Sequence, residues 1–527
     1  MEKPAKIISD LENLFINPLA HPKHYLIHKY WGRKPHNLVN TYIKHFTKKN
    51  DTVLDPFMGS GGVLIESNKL SRDSIGFDIN PMACMIVTET LKNVDLVKVE
   101  ETFKSIISNI PKDIYSIQTA LKRKEKFILE NAIWDEDKLV KVKISKNGKT
   151  FIRNANKDDV KTYQKAIDLQ KKYSNKFYYP DDEIMRYVRR NNKKTIDELF
   201  SSRNLLIASW FLNEVEKVSN KKIKESLKFI FTSALPNFSK MIPGDIENVR
   251  GKSGWQISKF WAPKIHTEKN VIISLNQRLN RFIQGKEEIS KLITKSKYKV
   301  LNSSSEDMKQ IKTNSVDYIF TDPPYGESIA YLALSSFWNS WLRKKVDYQN
   351  EIIYDPFRNK REEDYQKRLE KTFYEMSRVL KKNKYLSMTF HNRHLKFWKI
   401  LMDSCTSSGF EIVNVKWVNQ AVASGTQGIN RKNTLTGDFI YTFKNTKDKN
   451  TKLDFKNNGE IYIKKIVQKF KTKKGFVTPS ELYEELIPII ISNNAYYDSN
   501  LKLLDIDKFL NQRYEYLEIN NEYGWKL

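Results

Sequence analysis

Residues 52–70 read TVLDPFMGSGGVLIESNKL. Thr52-Val53-Leu54 is a short apolar strand that ends in Asp55-Pro56-Phe57 and runs straight into Met58-Gly59-Ser60-Gly61-Gly62. The stretch that follows, Val63 to Leu70, reads as helix. A strand, a glycine-rich turn and a helix in immediate succession form the opening unit of a doubly wound α/β sheet. Glycines let a ligand approach the backbone, and a helix starting there offers the positive end of its dipole to a carboxylate or phosphate. Ser74-Ile75-Gly76-Phe77-Asp78-Ile79 reads as the second strand. Its acidic residue, Asp78, is placed to accept hydrogen bonds from ribose hydroxyls. The turn is neither GxGxxG nor a P-loop, since no Gly-Lys-Ser/Thr follows it. Taken alone, it is also what a tight strand–helix connection looks like.

Outward from this unit, Leu38, Val39, Tyr42, Ile43 and Phe46 fall on one side of a helix before the first strand. After the second strand the alternation stops. From about 96 to 295 the pattern predicts a mostly helical insertion, with helices near 157–174, 195–218 and 222–235. It also holds one hairpin, Lys141–Ser145 and Lys149–Arg153, around Asn147-Gly148. Between 138 and 195 there are 17 Lys/Arg against 6 Asp/Glu, so this part is strongly basic. Strands resume at Lys299–Leu301, Val316–Phe320, Tyr385–Phe390, Phe410–Val418 and Asp438–Phe443, with a helix over 363–381. The sum is one sheet of about seven strands, interrupted between its second and third. Residues 445–475 hold ten lysines against three acids and read as a basic linker. Thr478-Pro479-Ser480-Glu481 is a capping box with Pro at the first helical position. With a helix over 503–512 and two strand-like closing segments, the C-terminus reads as a winged-helix-like module.

The fourth strand ends in Asp322-Pro323-Pro324-Tyr325, where open α/β sheets place their ligands. Consecutive prolines stiffen the backbone and fix its carbonyls. An exocyclic amine of adenine or cytosine is a poor nucleophile because its lone pair is conjugated into the ring. Two acceptors set tetrahedrally about the nitrogen, the Asp322 carboxylate and the Pro323 carbonyl, would turn that lone pair toward an electrophile. Tyr325 offers an aromatic face for the base. Alignment of nucleophile and electrophile is itself a large part of such a rate gain.

Composition agrees with a polyanionic partner. Over 527 residues Lys+Arg number 91 and Asp+Glu 62, a formal charge of +29. Hydrophobic residues at 40% exclude a disordered chain. No apolar run reaches the roughly 18 residues of a membrane span, and the N-terminus lacks a signal-peptide apolar region. Two cysteines, Cys84 and Cys405, exclude a disulfide framework and a Cys-rich zinc site.

Asp55-Pro-Phe-Met-Gly-Ser-Gly61 resembles the S-adenosylmethionine motif, and Asp322-Pro-Pro-Tyr325 the catalytic motif, of DNA amino-methyltransferases with the cofactor motif first. Tyr30-Trp-Gly-Arg-Lys-Pro35 is similar to the segment that precedes the cofactor turn in that family, and residues 326–342 to the helix after the catalytic motif. The resemblance covers about 20–95 and 296–445. It implies a Rossmann-like methyltransferase fold with S-adenosylmethionine as cofactor, Phe57, Gly59 and Gly61 on its methionine part, Asp78 on its ribose, and Asp55 supporting the turn. Asp322, Pro323, Pro324 and Tyr325 would hold the target base. No residue of Asn302-Ser-Ser-Ser-Glu306 is singled out for the cofactor adenine. The implied domains are 1–95 and 296–445 for catalysis, 96–295 for target recognition, and 446–527 for the linker and C-terminal module. The implied activity is N6 methylation of adenine in double-stranded DNA by base flipping. The setting would be restriction-modification or defence, in a bacterial, archaeal or phage-encoded cytoplasmic protein with a cognate restriction endonuclease and no membrane partner. Cytosine N4 methylation, RNA guanine-N2 methylation and a non-catalytic DNA-binding subunit remain as alternatives.

Weaker features were weighed the same way. Cys84 and Cys405 read as small buried residues. His21, His24, His28 and His36 read as surface or phosphate-contacting groups, with no metal site. Arg33 and Lys34 read equally as pocket lining or exposed surface. The Gly/polar loop Ser424–Gly428 and Asn430–Asn433 reads as solvated or base-contacting. Trp255 and Trp261 read as either groove wedges or core. Pro180-Asp181-Asp182 lacks the downstream Glu-x-Lys of a nuclease.

Overall fold

The computed structural model describes residues 17–527 apart from 123, 191, 252–254, 256, 257, 327, 328, 420–434, 436, 449–455, 520 and 521. The polar loop at Ser424–Asn433 lies outside the described residues. All seven expected strands form one sheet: β1 Thr52–Asp55, β2 Asp73–Phe77, β3 Tyr298–Leu301, β4 Val316–Thr321, β5 Leu380–Phe390, β6 Phe410–Asn419 and β7 Gly437–Asn445. Their order is β3-β2-β1-β4-β5-β7-β6. Every pairing is parallel except those of β7, which runs antiparallel to both β5 and β6. β4 is buried at all six positions, the continuous apolar run of a strand covered on both faces. The strand order reverses between β1 and β4, which pair Val53 with Tyr318 and Leu54 with Ile319. That switch point opens a crevice at the carboxyl ends of both strands.

The insertion is mostly helical as expected, but not wholly so. It carries a five-stranded antiparallel sheet of Thr119–Lys122, Glu125–Asp135, Lys138–Lys146, Lys149–Asn154 and, from far along the chain, Ile265–Lys269. The Asn147-Gly148 hairpin is as expected, with φ of 48° and 77°. Helices Ser202–Glu216, Lys221–Ala234 and Val271–Ser290 do not stand apart from the catalytic part. They share a core with Trp31, Met82, Ile86, Trp338 and Trp341. Trp255 belongs to that core, 3% exposed, with its ring 5.1 Å from Trp31 and 5.2 Å from Phe337. It is therefore no wedge. The Arg278 guanidinium donates to the Leu26 carbonyl at 3.3 Å, and Lys286 Nζ to the Thr90 carbonyl at 2.8 Å.

The expected basic linker contains a helix. Glu460–Lys473 is a helix that buries Ile463, Ile466, Val467 and Phe470 at helical spacing and turns its lysines outward. The capping box at Thr478 and Glu481 forms as read. Helix Ile506–Asn511 follows, and strand Phe476–Val477, just before the box, joins Glu522–Lys526 and Glu515–Ile519 in a three-stranded antiparallel sheet. This unit packs into the core of the large sheet. Tyr483 Oη donates to the Arg393 carbonyl at 2.9 Å, and Arg393 pairs with Asp507 at 2.7 Å. Among the described residues, no helix is long and apolar enough to cross a membrane.

Candidate active site

At the end of β1 the chain must turn sharply, and the turn is built on Gly59 (φ 48°) and Gly61 (φ 79°). Asp55 Oδ1 accepts from the Phe57 N–H at 3.1 Å and from the Thr321 hydroxyl at 2.8 Å. The carboxylate thus ties the turn to the end of β4. Asp78 accepts from the Gly59 N–H at 3.0 Å and the Asn80 N–H at 2.8 Å, bracing the same turn from β2. Burial pushes the Asp55 carboxyl up to about 7 and that of Asp78 up to about 6. Asn302, just after β3, donates to the Asp78 carbonyl at 2.9 Å. Glu306 is drawn away to Arg368 at 2.7 Å.

The Tyr30–Pro35 segment lies over this turn. A Cβ at Gly59 would stand 3.3 Å from the Tyr30 ring, and Tyr30 stacks on Tyr331 with centroids 5.8 Å apart. Arg33 is neither exposed nor directed at a ligand. Its guanidinium donates to Ser60 Oγ at 3.0 Å and to the His28 carbonyl at 2.7 Å, clamping the segment to the turn. His24 and His28 are likewise buried rather than at the surface. His24 pairs with Glu288 at 2.5 Å, and His28 stacks on Phe229 at 5.1 Å. Cys84 and Cys405 are buried thiols.

Asp322-Pro-Pro-Tyr325 faces the turn from the end of β4. Three donors converge on Asp322 Oδ1: the Thr389 hydroxyl at 2.6 Å, Lys34 Nζ at 3.5 Å, and the Tyr325 hydroxyl. The loop's later carbonyls are all engaged. Tyr365 Oη donates to Pro324 O at 2.6 Å, Asn392 Nδ2 to Tyr325 O at 2.9 Å, and the Tyr354 N–H to Gly326 O at 3.3 Å. The Pro323 carbonyl, by contrast, accepts from no described residue. The Tyr325 ring packs edge-on against Phe390 and His391, at 5.0 and 4.8 Å.

Sequence reasoning offered Lys34 as pocket lining or exposed surface, not as the cation at the centre of this motif. Lys34 Nζ donates to Tyr325 Oη at 2.6 Å and to Asp438 Oδ2 at 3.0 Å, and Asp438 Oδ1 meets His391 Nδ1. Burial pulls the Lys34 ammonium down, but the two carboxylates outweigh it and raise it above its ordinary value. Burial pushes the Asp322 carboxyl up, and Lys34 opposes that push. At Asp438 the cost of burial is overcome by Lys34 and His391, which hold the carboxyl below the usual range. Only the Gly-Arg-Lys-Pro run hinted at Lys34. Nothing local marked Asp438, His391, Thr389 or Thr321.

The residues present fit S-adenosylmethionine: a left-handed glycine turn, an acidic residue at the second strand end, and a Cβ-free position at Gly62 that meets nothing within 4 Å. Gly61→Ala tests the turn. A Cβ there would lie 2.5 Å from Val87 Cγ2, in a backbone conformation closed to L side chains. The expected loss is about 2–4 kcal/mol. It would be seen as a lower melting temperature and as loss of cofactor-binding heat in calorimetry.

Comparison with known proteins places this geometry. The profile of the N6/N4 DNA methylase family matches residues 8–89 and 316–515, stopping on either side of the insertion. The type II methyltransferase M.MjaII of Methanocaldococcus jannaschii is 23% identical over 336 residues, 58% of this chain and 59% of that one. The type II methyltransferase M1.MboII of Moraxella bovis is 47% identical over 47 residues, 9% of this chain and 18% of that one. The chain thus spans less than two thirds of the length of either relative. A solved S-adenosylmethionine-dependent methyltransferase from Methanosarcina mazei aligns with 76% of this chain and 96% of its own, at 9% identity and a TM-score of 0.25. The family match covers six of the sheet's seven strands, the glycine turn and the Asp-Pro-Pro-Tyr loop, more than half of the chain, and on that ground the chain belongs to the N6/N4 family of DNA methylases.

Proposed function

We propose that the protein is a site-specific DNA methyltransferase that methylates the N6 amine of adenine in double-stranded DNA, with the base flipped out of the stack. The observation that carries this reading is the pattern of used and unused acceptors in the catalytic loop. All three protein donors to Asp322 fall on Oδ1, which leaves Oδ2 for one amine hydrogen. The carbonyls of residues 324–326 are occupied and that of Pro323 is open, which leaves it for the other. Gly59, Gly61, Phe57 and Asp78, with Asp55 behind the turn, would hold S-adenosylmethionine, which supplies an electrophilic methyl group on a sulfonium sulfur. Asp322 and Pro323 draw the amine hydrogens out of the ring plane and aim the lone pair. Asp322 then takes the proton the amine must lose on forming its new N–C bond. Tyr325 receives the base on its ring, while Pro324 keeps the loop stiff. The Asp form of the motif favours adenine over cytosine N4.

The insertion is the candidate target-recognition region, and its basic stretch supplies phosphate contacts. The C-terminal unit, ordered helix–strand–helix–helix–strand–strand, supports a winged-helix-like module. The type II names of the two relatives support a restriction-modification setting, with a cognate endonuclease and the cytoplasm as site of action. Expression in a host lacking adenine methylation, followed by base-modification sequencing of its DNA, tests the reading. N6-methyladenine at one recurrent sequence is expected. N4-methylcytosine there would overturn the choice of base, and unmodified DNA from cells holding soluble protein would overturn the activity.

A further inference from the structure

The turn that follows the catalytic helix carries a side chain that the chemistry above does not use. Phe357 is 84% exposed, the most exposed large apolar residue among those described. It does not sit on a slack loop. Asp355 accepts from the Phe357 N–H at 3.1 Å and from Arg358 Nε at 2.6 Å. Arg358 also pairs with Glu351 at 2.6 Å, and Lys360 Nζ donates to the carbonyls of Gln349 and Glu351, each at 2.7 Å. Asp355 and Lys360 bond to each other's backbone on either side of the tip. The turn is in turn hung on the catalytic loop. The Tyr354 N–H donates to the Gly326 carbonyl one residue after Tyr325, and Glu351 accepts from the Leu332 N–H at 3.3 Å. A stiff mount, bonded through Tyr354 to the end of the Asp322–Gly326 loop, thus holds one bare aromatic ring out into solvent.

Its described ring neighbour is a tyrosine, which an arginine adjoins. The Phe357 ring lies parallel to that of Tyr187, with centroids 6.4 Å apart and 1° between planes, and Arg358 stands over Tyr187 at 5.6 Å. The Tyr187 segment carries Arg186, Arg189 and Arg190, and the turn itself is followed by Arg361. The nearby acids Glu362 and Asp364 are paired with Lys396 and Arg368. A protein-docking patch would gather apolar neighbours around the ring. A lone aromatic on a rigid mount, on a chain of formal charge +29, suits a partner with stacked bases inside a phosphate backbone.

We propose that Phe357 is the wedge of this enzyme: it enters the DNA duplex beside the target base pair and fills the stack when the target base leaves it. The proposal rests on the base-flipping reading above. Insertion lowers the cost of extrusion, so it matters where the target base is paired and matters little where it has no partner.

The test uses the full-length protein, labelled S-adenosylmethionine and two synthetic duplexes carrying the mapped site. One is fully paired and the other has an abasic residue opposite the target base. Phe357→Ala is expected to melt like the wild type, because the ring is exposed. It should lose at least about tenfold in kcat/KM on the paired duplex, and stay within about threefold of wild type on the abasic one. Phe357→Trp should keep most of the paired-duplex activity. Equal loss on both duplexes, or no loss on the paired one, would overturn the wedge while leaving the methyltransferase reading intact. Absence of transfer by the wild type to either duplex would overturn that reading and the wedge with it.

Discussion

Replacing Asp322 by alanine is expected to abolish methyl transfer, by about a thousandfold or more, while cofactor affinity stays within a few fold. In the mechanism proposed above, the carboxylate takes an amine hydrogen and then the proton released in the reaction. None of the turn residues assigned to the cofactor has a described hydrogen bond to it. Loss of Asp322 also removes the acceptor for the Thr389 and Tyr325 hydroxyls, so the loop should loosen. Asp322→Asn separates the two effects. It keeps an acceptor oxygen and the shape but cannot take the proton, so it should remain as inactive as the alanine variant while melting closer to wild type. Calorimetry with the cofactor and single-turnover methyl transfer check this pair of results.

The second large effect is at Lys34. This ammonium is shared by Asp322, Asp438 and Tyr325, at 3.5, 3.0 and 2.6 Å. Lys34→Met leaves two neighbouring carboxylates in a buried setting with no common cation, a change that costs about 3–5 kcal/mol where both stay charged. The site escapes part of that cost by taking up a proton. Burial already raises the Asp322 carboxyl and Lys34 is the main influence lowering it, so removing Lys34 raises it further. Because the reaction needs the carboxylate, activity falls as pH drops through the Asp322 value. That fall must begin at a higher pH in Lys34→Met than in the wild type. At neutral pH a loss of about a hundredfold is expected, shrinking as the pH is raised. Lys34→Arg should restore most of the activity and return the acid limb toward its wild-type position. A uniform loss across pH, with no shift of that limb, would mean that Lys34 serves only to hold the fold.

What was legible in the chain and what was not divides along physical lines. Val316–Thr321 announces itself because a strand buried on both faces is largely apolar, and the β1 turn because its φ of 48° and 79° favour glycine. The insertion's sheet was illegible apart from its hairpin. Thr119–Lys122 and Ile265–Lys269 are short and rich in polar residues, and Asn131 pairs with Lys269 across a long stretch of intervening chain. Glu460–Lys473 was hidden by its lysines, which mask an apolar stripe of four residues. In the site, the glycines and Asp322-Pro-Pro-Tyr325 carry their own marks because backbone shape demands them. Lys34 and Asp438 lie 404 positions apart, and each is an ordinary polar residue until the fold sets them side by side. Phe357 reads as one more apolar residue, and only its exposure sets it apart.

The central claim is that Asp322 and Pro323 activate an adenine amine for methyl transfer in DNA. The most direct measurement incubates the purified protein and its Asp322→Ala variant with methyl-labelled S-adenosylmethionine and unmodified duplex DNA, then separates the nucleosides. Label in N6-methyladenine from the wild type, and none from the variant, is the predicted result. Label that persists in the variant, or that enters RNA and not DNA, would contradict the account.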